Sequence, residues 1–314
     1  MTRPKILGIG AVCKDWVSVV DHFPEPDEKV DSIEEKYFPG GVTANYITGV
    51  ARLGVPTAFI GAVGDDNDGN WLIKDMESEG IQTDYCIKKK DMKTAINFII
   101  VHKHSGEKMI ILSPFFNSTH LSPKDLNSDW FKEADLLHTT AVHYELTLNA
   151  LELAKKHNVK VSLDLESQIA NRGWEKLDPI LSKVNILLPN KLGIKTLTGK
   201  EDLIKAAKFM LNKYDNMELV VITLGADGAM AITRNEVIKQ PTFQVKVLDA
   251  TGAGDTFCAA FTVAYVIKKM DLRKSLLFAN ADASLKVQKL GARTGMGSFK
   301  AVIEFLKKRN TDDF

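Results

Sequence analysis

The run Leu248-Asp249-Ala250-Thr251-Gly252-Ala253-Gly254-Asp255-Thr256-Phe257 sets small residues directly before a long apolar stretch of helical period. Glycines at 252 and 254 let backbone N–H groups crowd toward one point, and the N-terminus of the following helix adds partial positive charge there. Such a point holds a phosphate or another oxyanion. Asp255, in the first helical turn, has two readings. Aspartate is favoured there simply as a capping carboxylate. Beside an anion hole, a carboxylate also occupies the place where an alcohol must lose its proton as it attacks a phosphoryl group. The two features together therefore suit phosphoryl transfer to a hydroxyl, with Asp255 as the base.

A second glycine pair, in Phe38-Pro39-Gly40-Gly41-Val42-Thr43-Ala44-Asn45, opens a helix that ends at Arg52-Leu53-Gly54. Glycine and proline are common punctuators, and the pair alone is turn chemistry before a helix. Asn45 adds to it, since an amide early in a helix behind a flexible turn can face a cleft and both donate to and accept from sugar hydroxyls. A third candidate is Val220-Val221-Ile222-Thr223-Leu224-Gly225-Ala226-Asp227-Gly228, an apolar strand ending in a threonine and a glycine turn. It is either a plain strand–turn–strand connection or, at the carboxyl end of a strand in an open α/β sheet, the usual place of a ligand. The pattern GxxxxGK[ST] is absent, which excludes a nucleotide site of the P-loop kind. Gly8-Ile9-Gly10 supplies two thirds of a dinucleotide fingerprint, but its third position is Cys13, so no Rossmann site is expected.

Motifs of this kind need a scaffold, and the hydrophobic pattern supplies one. Apolar β-rich runs at 6–10, 58–62, 136–138, 159–163, 184–188 and 219–224 alternate with stretches of helical period such as 147–157 and 203–214. That alternation predicts an α/β fold with a parallel sheet covered by helices on both faces. Residues 16–20 with 33–38, and 94–102 with 109–112, stand outside the pattern and read as strands of a small added sheet, with a hairpin turn at His104-Ser105-Gly106-Glu107. After Asp249 the pattern is helical to the end, through 257–267, 272–287 and 299–306. A single domain spanning 1–314, with lid segments at about 14–38 and 92–118 inserted, accounts for this more simply than two domains.

Composition narrows the partners. With 41 Lys+Arg against 40 Asp+Glu the chain is nearly neutral, so no whole-molecule field is present to hold a nucleic acid or an anionic membrane. Cys13, Cys86 and Cys258 are scattered, without a CxxC pair, which fits a reduced cytoplasmic protein better than a disulfide framework or a zinc site. The N-terminus lacks the apolar core and cleavage site of a signal peptide, and the best candidate for a membrane span, 257–267, is broken by Lys268-Lys269, so no export and no membrane are expected.

The order and spacing of the glycine motifs make the chain resemble the phosphofructokinase-B, or ribokinase-like, sugar kinase family over essentially its whole length. Gly40-Gly41 with Ala44-Asn45 and Ala51-Arg52-Leu53-Gly54 resembles the family's N-terminal signature, and Asp249 to Phe257 matches the C-terminal signature almost letter for letter. Thr94-Ala95 through Leu121-Ser122-Pro123 is similar to the lid region, and Leu187-Leu188-Pro189-Asn190 with Thr198-Gly199 to the segment before the nucleotide site. The resemblance implies a ribokinase-like fold: a central, mostly parallel sheet sandwiched by helices, a small β-sheet lid over the sugar, and ATP along Thr223, Gly225 and Gly228. It also implies roles. Asp255 would be the catalytic base, the backbone of Gly252, Ala253 and Gly254 the anion hole, and Asp15, Gly41 and Asn45 the sugar contacts. Asn190 and Asn280 would lie on the nucleotide side, Asn280 in the adenine pocket. A monovalent-cation site, typically K+, would form around Asp249, Thr251 and Gly291.

Three departures qualify these implications. The family's Asn-x-x-Glu motif, whose Glu helps organise Mg2+, reads Asn190-Lys191-Leu192-Gly193. Val42-Thr43 stands where ribokinases proper have Lys-Gly, and the sugar-binding Glu expected after Asp135-Leu136-Leu137 is missing from Thr139-Thr140-Ala141-Val142, so ribose is not the first substrate expected. His138, His143 and Glu145 of that region either line the cleft or belong to a polar loop near a strand end. The expected activity is ATP- and Mg2+-dependent phosphorylation of a primary hydroxyl on a small sugar or sugar-like compound. A nucleoside kinase of the same fold, and a relative that binds without efficient turnover, are the alternatives. Apolar side chains on the lid, including Val17, Val19, Ile96, Phe98, Ile100, Ile110 and Leu112, cannot all be buried by so small a sheet, which predicts a homodimer through the lids, the alternative being a fold-back onto the same subunit.

Overall fold

The computed structural model describes residues 3–116 and 118–309. The ends of the expected 1–314 domain and position 117 of its lid segment lie outside the described residues. Thirteen strands occur among those described: β1 (Ile6–Ile9), β2 (Cys13–Val20), β3 (Glu34–Gly40), β4 (Thr57–Gly64), β5 (Cys86–Lys89), β6 (Ile96–His102), β7 (Lys108–Ile111), β8 (Leu136–Thr139), β9 (Lys160–Leu165), β10 (Ile186–Pro189), β11 (Leu219–Thr223), β12 (Ala229–Ile232) and β13 (Val237–Gln240). Nine form one sheet in the order β13-β12-β11-β10-β9-β8-β1-β4-β5, and four form another in the order β3-β2-β6-β7. From β11 to β5 the large sheet is parallel, while β12 and β13 run antiparallel at one edge.

Strand alternation divides the core in two. Phe59 and Val63 of β4, with Ile186 and Leu188 of β10, pack toward the helices Val42–Arg52, Ala253–Thr262 and Leu272–Lys286. Ala58, Ile60 and Leu187 from the same strands pack toward Tyr144–Lys156, Gly173–Leu181 and Leu203–Lys213 on the other face. A sheet buried on both faces needs apolar residues at every position, which is why its inner strands read as continuous apolar runs. The strands the sequence pattern did not mark are at the edges. Two lysines end β5, and β13 alternates exposed and half-buried positions. β12 is Ala-Met-Ala-Ile, with little β-branched character despite full burial.

Gly8 and Gly10, the fragment of a dinucleotide motif, serve packing instead. A Cβ at Gly8 would collide with the Ile47 side chain, and one at Gly10 with Thr43. Both contacts are with the helix Val42–Arg52, which lies close against β1. Thr43, of the Val42-Thr43 pair that departs from the ribokinase pattern, is thus part of this close approach.

In the small sheet, Trp16, Phe98 and Ile111 stand in register, as do Asp15 and Asn97, while Ile99 pairs with Ile110. Partners in register point to the same face and neighbours along a strand to opposite faces. Trp16, Tyr37, Phe98 and Ile111 therefore share one face, Trp16 against Tyr37 and Phe98 with ring centroids 6.0 and 5.1 Å apart. Asp15, Asn97, Ile99 and Ile110 share the other. Strand alternation thus separates Phe98 from Ile110, which the sequence reading had grouped in one apolar set.

The root of β6 is fastened to the large sheet by Asp66. Its Oδ1 caps the helix Asn67–Ser78 by accepting from Gly69 N at 2.8 Å and also accepts from Thr94 Oγ1 at 2.7 Å, while Oδ2 accepts from Thr94 N at 2.9 Å. Asp66→Ala removes a helix cap and leaves Thr94 short of partners, so we expect it to lower stability by about 1–3 kcal/mol. Urea denaturation checks this through the midpoint. An unchanged midpoint would show that the joint contributes nothing.

Candidate active site

Gly252 adopts a left-handed conformation (φ 76°) at the N-cap of the helix Ala253–Thr262, which turns the loop sharply into the helix. The N–H groups of Gly252, Gly254 and Asp255 have no acceptor among the described residues. A Cβ on Gly254 would meet nothing within 4 Å, so the loop opens onto free space there. Ala253 differs from the expectation of three outward donors, because its N–H turns back to Ala250 O at 3.1 Å. Unpaired N–H groups at a helix N-terminus form an oxyanion site.

Asp255 lies under this opening and is buried. Its Oδ2 accepts from Asn45 Nδ2 at 2.8 Å. Burial pushes its carboxyl up to about 7; the Asn45 hydrogen bond and the Arg293 and Lys286 charges oppose the shift, and Glu166 adds to it. Asn45 is in turn held by Arg293, whose Nε donates to Asn45 Oδ1 at 2.8 Å. Arg293 also donates to Asp75 Oδ2 at 2.7 Å and to Gly40 O at 3.2 Å, and its own carbonyl accepts from Arg52. With an acceptor on one side and a donor on the other, the Asn45 amide has a single orientation that satisfies both neighbours. Its oxygen, expected to face a sugar, is occupied inside the protein.

Gly41 caps the helix Val42–Arg52 at φ 95°, and a Cβ there would collide with Ala11 O. Asp15, on β2 of the small sheet, accepts from Asn97 Nδ2 at 3.1 Å and from Cys13 Sγ at 3.4 Å. Burial raises its carboxyl from the usual range. From β7, Lys108 Nζ donates to Thr251 Oγ1 at 2.6 Å, which brings the small sheet over the loop 248–254.

Asn190, Thr223, Gly225 and Gly228 gather at the carboxyl ends of β10 and β11, where Asn190 and Thr223 form an isolated bridge. The connection from Thr223 to β12 is a short 3₁₀ turn, Gly225–Asp227, within an antiparallel hairpin. Asn190 caps the helix Lys191–Thr198 by accepting from Gly193 N at 2.6 Å. A Cβ on Gly193 would collide with Leu165 O, so the missing glutamate reflects a close approach between this helix and the end of β9. Asn280 is buried and donates to Gln240 O at 3.0 Å and Pro241 O at 3.2 Å, pinning the chain that leaves β13.

Other carboxylates stand near Asp255. Asp164 is in β9 and Glu166 follows it; burial raises both, and the Asp164 carboxyl is pushed well above the usual range with Glu166 and Asp255 adding to the effect. Neither has a cationic partner among the described residues. The residues assigned to a monovalent cation also come together. Asp249 Oδ1 accepts from Thr251 N and Oδ2 from Gly291 N, each at 2.8 Å. On the same residue, Lys286 Nζ donates to Asp249 O at 2.7 Å, with Asp249 Oδ2 4.0 Å away. A site already holding an ammonium does not fit K+.

His138 and His143 are both buried. His138 stacks on Tyr46 at 3.5 Å and is held by burial at about 3, and burial takes His143, which stacks on His120, to about 4, so both are neutral at pH 7. The residues sequence reasoning missed, Arg293, Lys286, Lys108, Asp164 and Glu166, carry no local motif. Arg293 alone had a signal, a charge between the glycines of Gly291-Ala292-Arg293-Thr294-Gly295.

Because the folded state favours protonated Asp255, its contribution to stability is full below the unfolded pKa of about 4 and is lost as pH rises toward 7. Asp255→Asn removes that loss, so we expect the variant to exceed the unaltered protein by about 2–4 kcal/mol at pH 8, the gap closing at pH 4. Chemical denaturation at both pH values measures it, and an equal gap at both would contradict the shift.

The sequence pattern of the pfkB family carbohydrate kinases matches residues 3–298. The chain is 31% identical over 317 residues to a ribokinase of Haemophilus influenzae, an alignment covering 97% of this chain and 99% of the relative. The solved ribokinase of Thermotoga maritima superposes with a TM-score of 0.83 at 30% identity, over 96% of this chain and 99% of that one. The Arabidopsis thaliana ribokinase solved with ribose and ATP gives 0.83 at 26% identity, over 98% and 99%. Signatures at both ends of the chain, the two-sheet architecture and a match over nearly the whole length agree: the chain belongs to the pfkB family of carbohydrate kinases.

Proposed function

We propose that the protein transfers the γ-phosphoryl group of ATP to a primary hydroxyl of a small sugar or sugar-like compound, as one kinase domain with an inserted lid. The observation that carries this is the buried Asp255, near neutrality in pKa, beneath the unpaired N–H groups of Gly252 and Gly254. As the hydroxyl oxygen bonds to the γ-phosphorus, its proton passes to the Asp255 carboxylate and the bond to the β-phosphate oxygen breaks, releasing ADP. The N–H groups receive the phosphoryl oxygens, and positioning with electrostatic stabilisation supplies most of the acceleration. Asp15 and Asn97 on the lid, with Gly41, form the sugar side, and Asn45 positions Asp255. Thr223, Gly225, Gly228 and Asn190, with the chain segment pinned by Asn280, form the nucleotide side. Asp164, buried, and Glu166, half-buried, both without cationic partners among the described residues, fit the Mg2+ that accompanies ATP, where it would neutralise phosphate charge.

Asp255→Asn is expected to lower kcat by about 10²- to 10⁴-fold, the span of a positioned general base, with nucleotide affinity retained. An ADP-release assay over fructose, ribose, 2-keto-3-deoxygluconate, phosphorylated sugars and nucleosides identifies the substrate. With that substrate, kcat/KM should fall as pH drops below about 7, because only ionised Asp255 accepts the proton. Unimpaired turnover in the variant would refute the assignment.

The protein is further proposed to act in the cytoplasm; among the described residues no helix is long and apolar enough to cross a membrane. We also read it as a homodimer whose lids cover one another. Trp16, Phe98, Ile100 and Ile111 line a groove of about 500 Å³ on the outward lid face, and Phe98 and Ile111 are 42% and 59% exposed. Phe98→Asp and Ile111→Asp should convert a dimer to monomer in light scattering, since an unpaired charge in an apolar interface is strongly disfavoured. Ile110→Asp, on the face of Asp15, should leave the mass unchanged. A monomer at micromolar concentration in the unaltered protein would exclude the dimer.

A further inference from the structure

Lys286 is the last residue of the helix Leu272–Lys286, and its side chain is completely buried. A buried lysine is rare and costly unless something compensates its charge. Here the compensation comes from Asp249, whose carbonyl accepts from Nζ at 2.7 Å and whose Oδ2 lies 4.0 Å away. The same residue organises the loop, its carboxylate receiving the N–H groups of Thr251 and Gly291, while Leu248 N and Asp249 N both donate to Val287 O at 2.8 and 3.1 Å. A Cβ at Gly295 would collide with the Lys286 carbonyl, so the 291–295 segment closes over the same joint. Burial lowers the ammonium's pKa, Asp249 and Asp255 work against that shift, and Lys108 adds to it.

An ammonium is a compact monovalent cation that takes oxygen ligands at about 2.8 Å. We infer that Lys286 is the resident monovalent cation of the loop 248–254: its tethered charge orders Asp249, Thr251 and Gly291 from within, and the chain neither binds nor requires potassium there. A tethered cation loses no translational freedom on each occupancy and cannot be exchanged, so the loop keeps one conformation whatever the salt. The catalytic consequence rests on the reading of this loop as the phosphate site; the occupancy of the cation position does not.

Thermal unfolding of the full chain at fixed ionic strength, in potassium, sodium or tetramethylammonium chloride, tests it without turnover. The unaltered protein should unfold at the same midpoint in all three salts, within about 1 °C, because a ligand with no site gives no linkage. Lys286→Gln should unfold several degrees lower, by about 4 °C or more, and regain part of the loss saturably with potassium but not with tetramethylammonium. A saturable potassium response in the unaltered protein overturns the inference, as does a Gln variant with an unchanged midpoint and no potassium response. Should the Gln variant fail to fold, the titration of the unaltered protein decides alone. In the kinase assay, exchanging potassium for tetramethylammonium should change kcat less than about twofold, in contrast to an enzyme that must fill its site. Absence of turnover with every sugar would count against the kinase reading and leave the unfolding result standing.

Discussion

A carboxylate that must be buried and yet able to ionise is the constraint on which this molecule is arranged. Desolvation pushes the Asp255 carboxyl up to about 7, against the Asn45 hydrogen bond first and then the charges of Arg293 and Lys286. That opposition arrives through a relay. Arg293, itself buried, fixes the Asn45 amide so that its N–H₂ end faces Asp255, and Asp75 balances the guanidinium. The helix Val42–Arg52, the helix Asn67–Ser78 and the 291–295 turn are thereby joined around one carboxylate oxygen. Displacing any of these elements would alter the acidity of Asp255 as well as its position.

The same economy appears where chain segments approach closely. Gly8 and Gly10 let the Asn45 helix lie against β1, and Gly193 lets the Asn190 helix lie against the end of β9. In both cases a residue type that reads as ligand chemistry, or as the absence of it, is explained by steric need. The carboxylate missing at 193 has Asp164 and Glu166 near the same strand end, so acidic charge is retained from another segment.

What could be read from the sequence divides along physical lines. The inner strands and the glycine loops were legible because their demands are local: continuous burial imposes apolar runs, and a left-handed turn imposes glycine. The 252–255 loop and Asn45 were found in this way. Lys286 was not, since a charge in a helix declares nothing until tertiary packing supplies Asp249 as its partner, and the glycines flanking Arg293 mark a turn without telling that Asp75 and Asn45 are its partners. The lid shows a different limit. Its strands are apolar on both faces, so alternation alone could not tell Phe98 from Ile110, and only pairing in register separates them. Asn45 was picked out as an amide available to ligands and Asn280 was assigned to a nucleotide pocket by resemblance, yet much of their hydrogen-bonding capacity is used within the protein.

The contact between Lys108 and Thr251 has a consequence for the pace of the molecule. It is an exposed ammonium-to-hydroxyl bond between the lid and the anion loop, and a contact of that kind holds with less than about 1 kcal/mol. The roots of the lid, at Asp66–Thr94 and Lys14–Asp68, are more sheltered. The small sheet is thus hinged firmly and latched weakly. Parting it from the loop 248–254 at that point would break one surface contact and leave the strand pairing of the small sheet intact.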